Sequence, residues 1–464
     1  MLSAVIACFV IGYVVIVFEH PLRLDKTVPA LLMGSICWAL LSLGFNSGAL
    51  DVVDGHEHLY SLADHGGDHA MTHAEAEEGF MAALLHHLGK TAEILIFLIG
   101  AMTIVEIVDL HRGFDILKGW VRTRNKKKLL WIVGVLGFIL SAIIDNLTAT
   151  IVLVTLLRKL VPDREQRIWY IALIVIAANA GGAWSPIGDV TTTMLWIGKR
   201  VSTGGLMEYL ILPSIVCFAV PFFIASFLKP FQGEILSDEP HVTKEELKSE
   251  RLLSSKTMLF LGLGMIVFVP IFKTITHLPP YIGMMLSLGV VWLVSEYIHP
   301  EEDFTEERKE TYSAHKALSR IEMSSILFFL GILMAVASLE TVAVGEVGAL
   351  RAVAESLQSV IPDQNVVVFI LGFLSAIIDN VPLVAASMGM YDLNQYAMDD
   401  TLWHFIAYSA GTGGSMLIIG SAAGVAAMGM ERIDFIWYFK KIAWLAFIGF
   451  AAGAAVFIAI ETIF

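Results

Sequence analysis

Three carboxylates lie inside long apolar runs of this sequence: Asp145 in SAIIDNLTAT, Asp189 in ANAGGAWSPIGDVTTT and Asp379 in SAIIDNVP. Each is surrounded by neutral oxygen-bearing side chains: Asn146 and Thr148 beside the first, Asn179, Thr191 and Thr192 around the second, Ser375 and Asn380 around the third. A carboxylate in hydrocarbon costs at least about 3 kcal/mol on insertion scales. Lys and Arg occur only at the ends of these segments, so no base offsets the acids at mid-depth. A transported cation or a proton would supply the missing partner, because small hard cations take oxygen ligands. Acids buried for packing alone are the competing explanation. The glycines and Pro186 around Asp189 break a helix and free backbone carbonyls, tolerated in a bilayer only where they line a cavity or are buried in protein. A related stretch, Gly411-Thr412-Gly413-Gly414-Ser415, has hydroxyls but no acid, and Ser421 stands where Asp189 stands in the first.

Such residues need a membrane scaffold. Of 464 residues, 56% are hydrophobic and 16% charged, against about 25% charged in soluble domains, and mean hydropathy is +0.73. Net charge is −14 with no basic stripe interleaved with aromatics, which argues against nucleic acid. Cys8, Cys37 and Cys217 lie in apolar stretches and suggest no disulfide framework. The N-terminus lacks a basic n-region and cleavage site and reads as a retained span, which fits a bacterial inner membrane. Apolar segments fall at roughly 2–18, 28–45, 91–109, 128–160, 167–200, 206–229, 257–272, 279–298, 321–340, 364–391, 402–430 and 440–463. Basic loops 110–128 and 158–167 flank segment 128–160, so the positive-inside rule makes it a re-entrant hairpin. Its partner hairpin is 364–391, entering from the other side. Ten spans and two hairpins then leave five of the 30 Lys and Arg outside (Lys90, Lys199, Arg200, Lys273, Arg351), with both termini periplasmic. Trp131, Trp169, Trp184, Trp196, Trp292 and Trp437 are expected mostly in an interfacial belt. Loop 46–90, with His56, His58, His65, His69 and His73, is a polar loop or a weak metal-site candidate.

SAIIDN occurs twice, at 141–146 and 375–380; Ile96–Gly100 matches Leu327–Gly331; Gly181, Gly182 and Gly188 match Gly413, Gly414 and Gly420. The offsets are nearly constant, which predicts two repeats: residues 1–230, with hairpin 128–160 and broken helix 167–200, and residues 257–464, with hairpin 364–391 and broken helix 402–430. Residues 231–256 link them on the cytoplasmic side. Five spans per half is odd, so the copies are inverted, and the expected fold class is an all-α polytopic membrane protein, a transporter architecture. Glu106, Asp109 and Glu340 lie near span ends and offer a proton path or an interfacial placement.

The paired SAIIDN motifs, LTAT after the first, and ANAGGAWSPIGDVTTT resemble the NhaD-type sodium/proton antiporters of the ion transporter superfamily. The resemblance covers nearly the whole chain. It implies exchange of Na⁺ or Li⁺ for H⁺ at alkaline pH, elevator-like motion, homodimers among lipids, and functional positions at Asp145, Asn146, Asn179, Asp189, Thr191, Thr192, Ser375, Asp379, Asn380 and Ser415. Na⁺ is expected at Asp145, Asn146, Asp189 and Asn380, with protons competing for the same oxygens and no cofactor. An anion transporter of the same fold, for a dicarboxylate or arsenite, would want a base at the site. An intramembrane metalloprotease would need HExxH within a span, and none occurs, so no enzyme activity is expected. A channel fits paired hairpins and buried acids less well.

Overall fold

The computed structural model describes residues 1–463 except 55–57, 63–71, 119–120, 122, 236–251 and 301–311; His56, His65 and His69 therefore lie outside the described residues. Among the described residues the fold is helical, with two two-stranded ladders, Val52–Val53 on Leu59–Tyr60 and Ala343–Val344 on Val347–Gly348. The helices of seven residues or more are α1 (Leu2–Val17), α2 (Thr27–Asn46), α3 (His73–Leu110), α4 (Lys126–Ile144), α5 (Asn146–Leu160), α6 (Arg164–Gly182), α7 (Val190–Ile197), α8 (Thr203–Ala225), α9 (Ser255–Thr276), α10 (Pro280–Tyr297), α11 (Met323–Thr341), α12 (Ala349–Val360), α13 (Gln364–Leu374), α14 (Asn380–Met390), α15 (Thr401–Gly413), α16 (Ala422–Glu431), α17 (Phe435–Lys441) and α18 (Ala443–Ile463). Helix α3 begins at His73, so the expected loop 46–90 is shorter and its last histidine is helical.

Among the described residues, α2, α3, α4, α8, α9, α11 and α18 are long and apolar enough to cross a membrane, and the bent pair α12 and α13 would make an eighth. Six of the ten expected spans are among these, and α4 belongs to the expected hairpin; of the other four, 2–18 forms the shorter helix α1, 279–298 forms α10, and 167–200 and 402–430 are interrupted. Residues 183–189 separate α6 from α7, and 414–421 separate α15 from α16, leaving pieces that are short or end in charges. Large apolar side chains point outward in numbers a water-soluble surface does not carry; Phe223 is 61% and Ile275 72% exposed. The chain is a multi-pass membrane protein.

The chain packs as two compact units. One comprises Met1–Leu95, Glu322–Val367 and Val381–Ala397. Its axis is α2 against α11: a Cβ on Gly34 would stand 2.6 Å from the Gly331 carbonyl oxygen, and Trp38 Nε1 donates to the Met334 carbonyl at 2.8 Å. The other comprises Ile96–Ile321, Val368–Asn380 and Met398–Phe464. At its centre lie α6 and α15. From Tyr170 to Gly182 every residue of α6 is buried, and α15 is buried from Leu402 to its end. A helix apolar on all faces belongs inside protein or lipid, and here α4, α5, α8, α15 and α16 pack around α6. Trp196, assigned to the belt from sequence, is instead 1% exposed, at the end of α7.

Candidate functional site

The candidate side chains of the second unit, apart from Glu106 and Asp109 in α3, sit at or beside helix interruptions. Asp145 is the residue between α4 and α5, with φ 78° and ψ 158°. That region is rarely adopted by a residue with a side chain and costs about 1–3 kcal/mol. The same side chain offsets the cost as N-cap of α5, accepting from Thr148 N–H and Thr148 Oγ1, both at 2.8 Å. Asp189 caps α7 in the same way, its Oδ1 accepting from Thr191 N–H at 2.9 Å and Thr191 Oγ1 at 2.8 Å. Its Oδ2 accepts from Asn146 Nδ2 at 2.5 Å, and Asn380 Nδ2 lies 3.3 and 3.4 Å from its two oxygens. Asp189 is 2% exposed, and these partners are all neutral donors. Asn146 Nδ2 also donates to Asn179 Oδ1 at 3.1 Å, and Asn179 Nδ2 donates to Ser421 Oγ at 2.9 Å.

The network therefore joins the first residues of α5 and α14 with the caps of α7 and α16. Four helix N-termini converge on it, a field that favours negative charge. Two backbone approaches make this possible. A Cβ on Gly188 would stand 2.8 Å from the Ser141 carbonyl oxygen, and one on Gly420 would stand 2.7 Å from that of Ser375. Ser141 Oγ donates to the Ala178 carbonyl at 2.5 Å and Ser375 Oγ to that of Ala410 at 2.8 Å, so each SAIIDN serine ties its strand of chain to a broken helix.

The structure brings together Asn146, Asn179, Asp189, Thr191 and Asn380, with Asp145 and Asp379 as their chain neighbours. Thr192 Oγ1 donates to the Asp189 carbonyl at 2.9 Å and Ser415 Oγ to that of Thr412 at 2.7 Å, which spends their hydrogens on the two breaks. Glu106 and Asp109 lie apart from this network, 3.3 and 3.2 Å from Arg320. In the first unit, Glu340 Oε2 is 4.0 Å from His87 Nδ1. Among the described residues no three His, Cys, Asp or Glu cluster as metal ligands, and His58 and His73 face Asp54 and Glu77.

Sequence reading missed two features. Ser421 stood out only as the neutral match of Asp189, and that mismatch was its signal. Glu431 at the end of α16 is 3% exposed and accepts from Arg158 Nε at 2.6 Å and Arg167 Nη2 at 2.9 Å, while Arg164 Nη2 donates to the Glu431 carbonyl at 2.7 Å. A lone Glu closing an apolar segment and three arginines within ten residues were the available hint.

The sequence profile of the CitMHS family, described as citrate transporter, matches residues 13–405. Sodium/proton antiporter 1 of Arabidopsis thaliana is 46% identical over 98% of this chain and 72% of its own length, and sodium/proton antiporter 2 of the same plant is 41% identical over 98% of both. The Na(+)/H(+) antiporter NhaD of Alkalimonas amylolytica is 30% identical over 97% of this chain and 89% of its own. The chain belongs to the CitMHS family and to the NhaD-type antiporters. As an NhaD-type protein it is a membrane transporter. The family description names an anion and these relatives are named for cations; the capped helix ends bear on that choice. An anion would use free N–H groups at helix N-termini; in this NhaD-type chain Asp145, Asp189 and Ser421 each accept one of them, from Thr148, Thr191 and Gly424.

Proposed function

We propose that this chain exchanges Na⁺, and Li⁺ with it, for H⁺ across an energised membrane. The observation that carries this reading is Asp189, a buried acid held by amides, a hydroxyl and a backbone N–H, with no base among those partners. Those donors and helix ends favour the ionised carboxylate while burial opposes it, so the group is suited to take up either a proton or a cation. Proton and cation therefore compete for the same oxygens, Asp189 with Asp145 and Asp379 as further acids and Asn146, Asn179, Asn380, Thr191 and Thr192 as neutral neighbours. When the acids are ionised the cation binds from the cytoplasm; a rearrangement exposes the site outside, where protons release it. Higher pH ionises the acids and favours exchange. The names of the plant and bacterial relatives support this ion pair. The basic loop at 110–128 supports a cytoplasmic side for that loop, and the expected topology then leaves both termini outside an inner membrane.

A second reading, uptake of a citrate-like anion, draws on the family description. Everted vesicles from cells lacking their own sodium antiporters separate the two. With a respiratory proton gradient followed by a pH-sensitive dye, NaCl or LiCl is expected to collapse the gradient increasingly as pH rises, and Asp189→Asn to abolish that response. Indifference to both salts, with labelled citrate uptake instead, would overturn the cation reading.

A further inference from the structure

Ser421 opens α16 with the backbone that Asp189 has at the start of α7: φ −146° and ψ 154° against −148° and 146°. It is 1% exposed. Its Oγ accepts twice, from Gly424 N–H at 3.2 Å and from Asn179 Nδ2 at 2.9 Å. A hydroxyl oxygen has two lone pairs. With both engaged, Ser421 cannot ligate a cation without giving up one of these bonds.

What the second bond does is orient a carboxamide. Asn179 is fully buried. Its NH₂ end faces Ser421, so its carbonyl Oδ1 faces the other way and accepts from Asn146 Nδ2 at 3.1 Å. Turned by 180°, Asn179 would set an N–H against the N–H of Asn146 and its oxygen against the Ser421 Oγ. The serine hydrogen could then serve that oxygen, but the donor pair facing Asn146 would remain. Asn146 Nδ2 in turn donates to Asp189 Oδ2 at 2.5 Å. One chain of bonds thus runs from the neutral cap of α16 to the acidic cap of α7: the carboxylate of Asp189, which only accepts, orients Asn146, and Ser421 holds the far end by accepting from Asn179.

We propose that Ser421 is a positioning residue for the transported cation: by accepting from Asn179 it helps keep the Asn179 carbonyl oxygen, and not the Asn179 N–H, turned toward the Asn146–Asp189 side. This rests on the exchange reading above. Losing one buried acceptor is expected to weaken Na⁺ binding about tenfold.

The test uses the full chain in proteoliposomes with an imposed pH gradient, reading initial proton flux against NaCl concentration. Ser421→Ala is expected to raise the half-saturating Na⁺ about tenfold while the maximal rate changes by less than about threefold. Ser421→Thr, which keeps the acceptor, should return half-saturation to within about threefold of the parent. Asn179→Ala should be impaired in the same direction, and adding Ser421→Ala to it should change half-saturation no further. If Ser421→Ala does not fold, Ser421→Cys, a much weaker acceptor of similar size, takes its place with the same expectation. Unchanged half-saturation in Ser421→Ala, a loss confined to maximal rate, or additive effects in the double variant would overturn the positioning role while leaving exchange intact. A parent protein with no Na⁺-driven flux would overturn the exchange reading and this inference with it.

Discussion

The two broken helices of the second unit share a backbone and differ in charge. Both are interrupted after a buried pair of glycines, Gly181-Gly182 and Gly413-Gly414, and both restart from an extended residue that caps the next helix. Both receive a serine from SAIIDN on a carbonyl of the first half-helix. The first restarts at Asp189 and the second at Ser421. The distal ends differ as well: the last turn of α7 is met by Lys273, whose Nζ donates to the Trp196 carbonyl at 3.2 Å, while α16 ends in three arginines around Glu431. Two interrupted helices can therefore share a geometry, which backbone approach and capping dictate, while the capping residue itself is an acid in one and neutral in the other.

Making the two caps alike is the strongest way to break that comparison. Asp189→Ser removes the acid on which four neutral donors converge, and at least a hundredfold loss of Na⁺-driven proton flux is expected in vesicles, in the range typical when a principal electrostatic group is removed. The opposite change, Ser421→Asp, adds a second proton-binding group beside the first, and the Na⁺:H⁺ ratio read from the reversal potential in proteoliposomes should change; an unaltered ratio would mean that charge at this cap does not enter the exchange.

The clamp on α16 is the next largest effect. Arg167→Ala leaves Glu431 buried with Arg158 as its remaining partner. Breaking a buried pair costs about 3–5 kcal/mol, and the shared arrangement brings the expected loss to about 2 kcal/mol, read as a lowered unfolding midpoint in detergent. No comparable loss is expected at α7 from Lys273→Ala, because Lys273 meets a backbone carbonyl and no buried acid.

A pH effect of similar size separates the halves. His111, just beyond α3, is buried, its Nδ1 is 2.8 Å from Ser254 Oγ, and burial pushes its pKa down from 6.5 to about 4. By the repeat offset its counterpart is Val342. A histidine with a depressed folded-state pKa contributes stability that is present above 6.5 and lost as pH falls toward 4. The parent is expected to lose about 2 kcal/mol between pH 7.5 and 5 in a way that His111→Val does not. Parallel pH dependence in both proteins would rule this out.

The smallest expected effect sharpens the likeness. Ser141→Ala and Ser375→Ala should each cost about 1 kcal/mol in thermal unfolding, since each removes one buried hydrogen bond of the same kind. Costs differing by more than about 2 kcal/mol would show that the two ties are not equivalent.

Membrane class and the interrupted segments were legible in the sequence because each depends on local chemistry: runs of apolar residues, glycine pairs, and acids without neighbouring bases. The mismatch of Asp189 with Ser421 was legible for the same reason. The residues at which each helix ends were less so, since a broken helix and a continuous one have the same composition and differ only in where the backbone bonds end. The basic loop 158–167 illustrates the limit: the sequence offered its arginines as topology signals, yet Arg158, Arg164 and Arg167 are spent on Glu431 and the carbonyls beside it, residues more than 250 positions away.

Residue type by itself determined which groups could hold a proton or a cation, because the cost of a carboxylate in hydrocarbon requires a reason for each one. Only the tertiary structure decided which of those groups meet. Asn380 reaches Asp189 across 191 positions and Asn179 reaches Ser421 across 242. The direction of each bond follows from which donor and acceptor ends the packing leaves facing one another, and no sequence spacing encodes that.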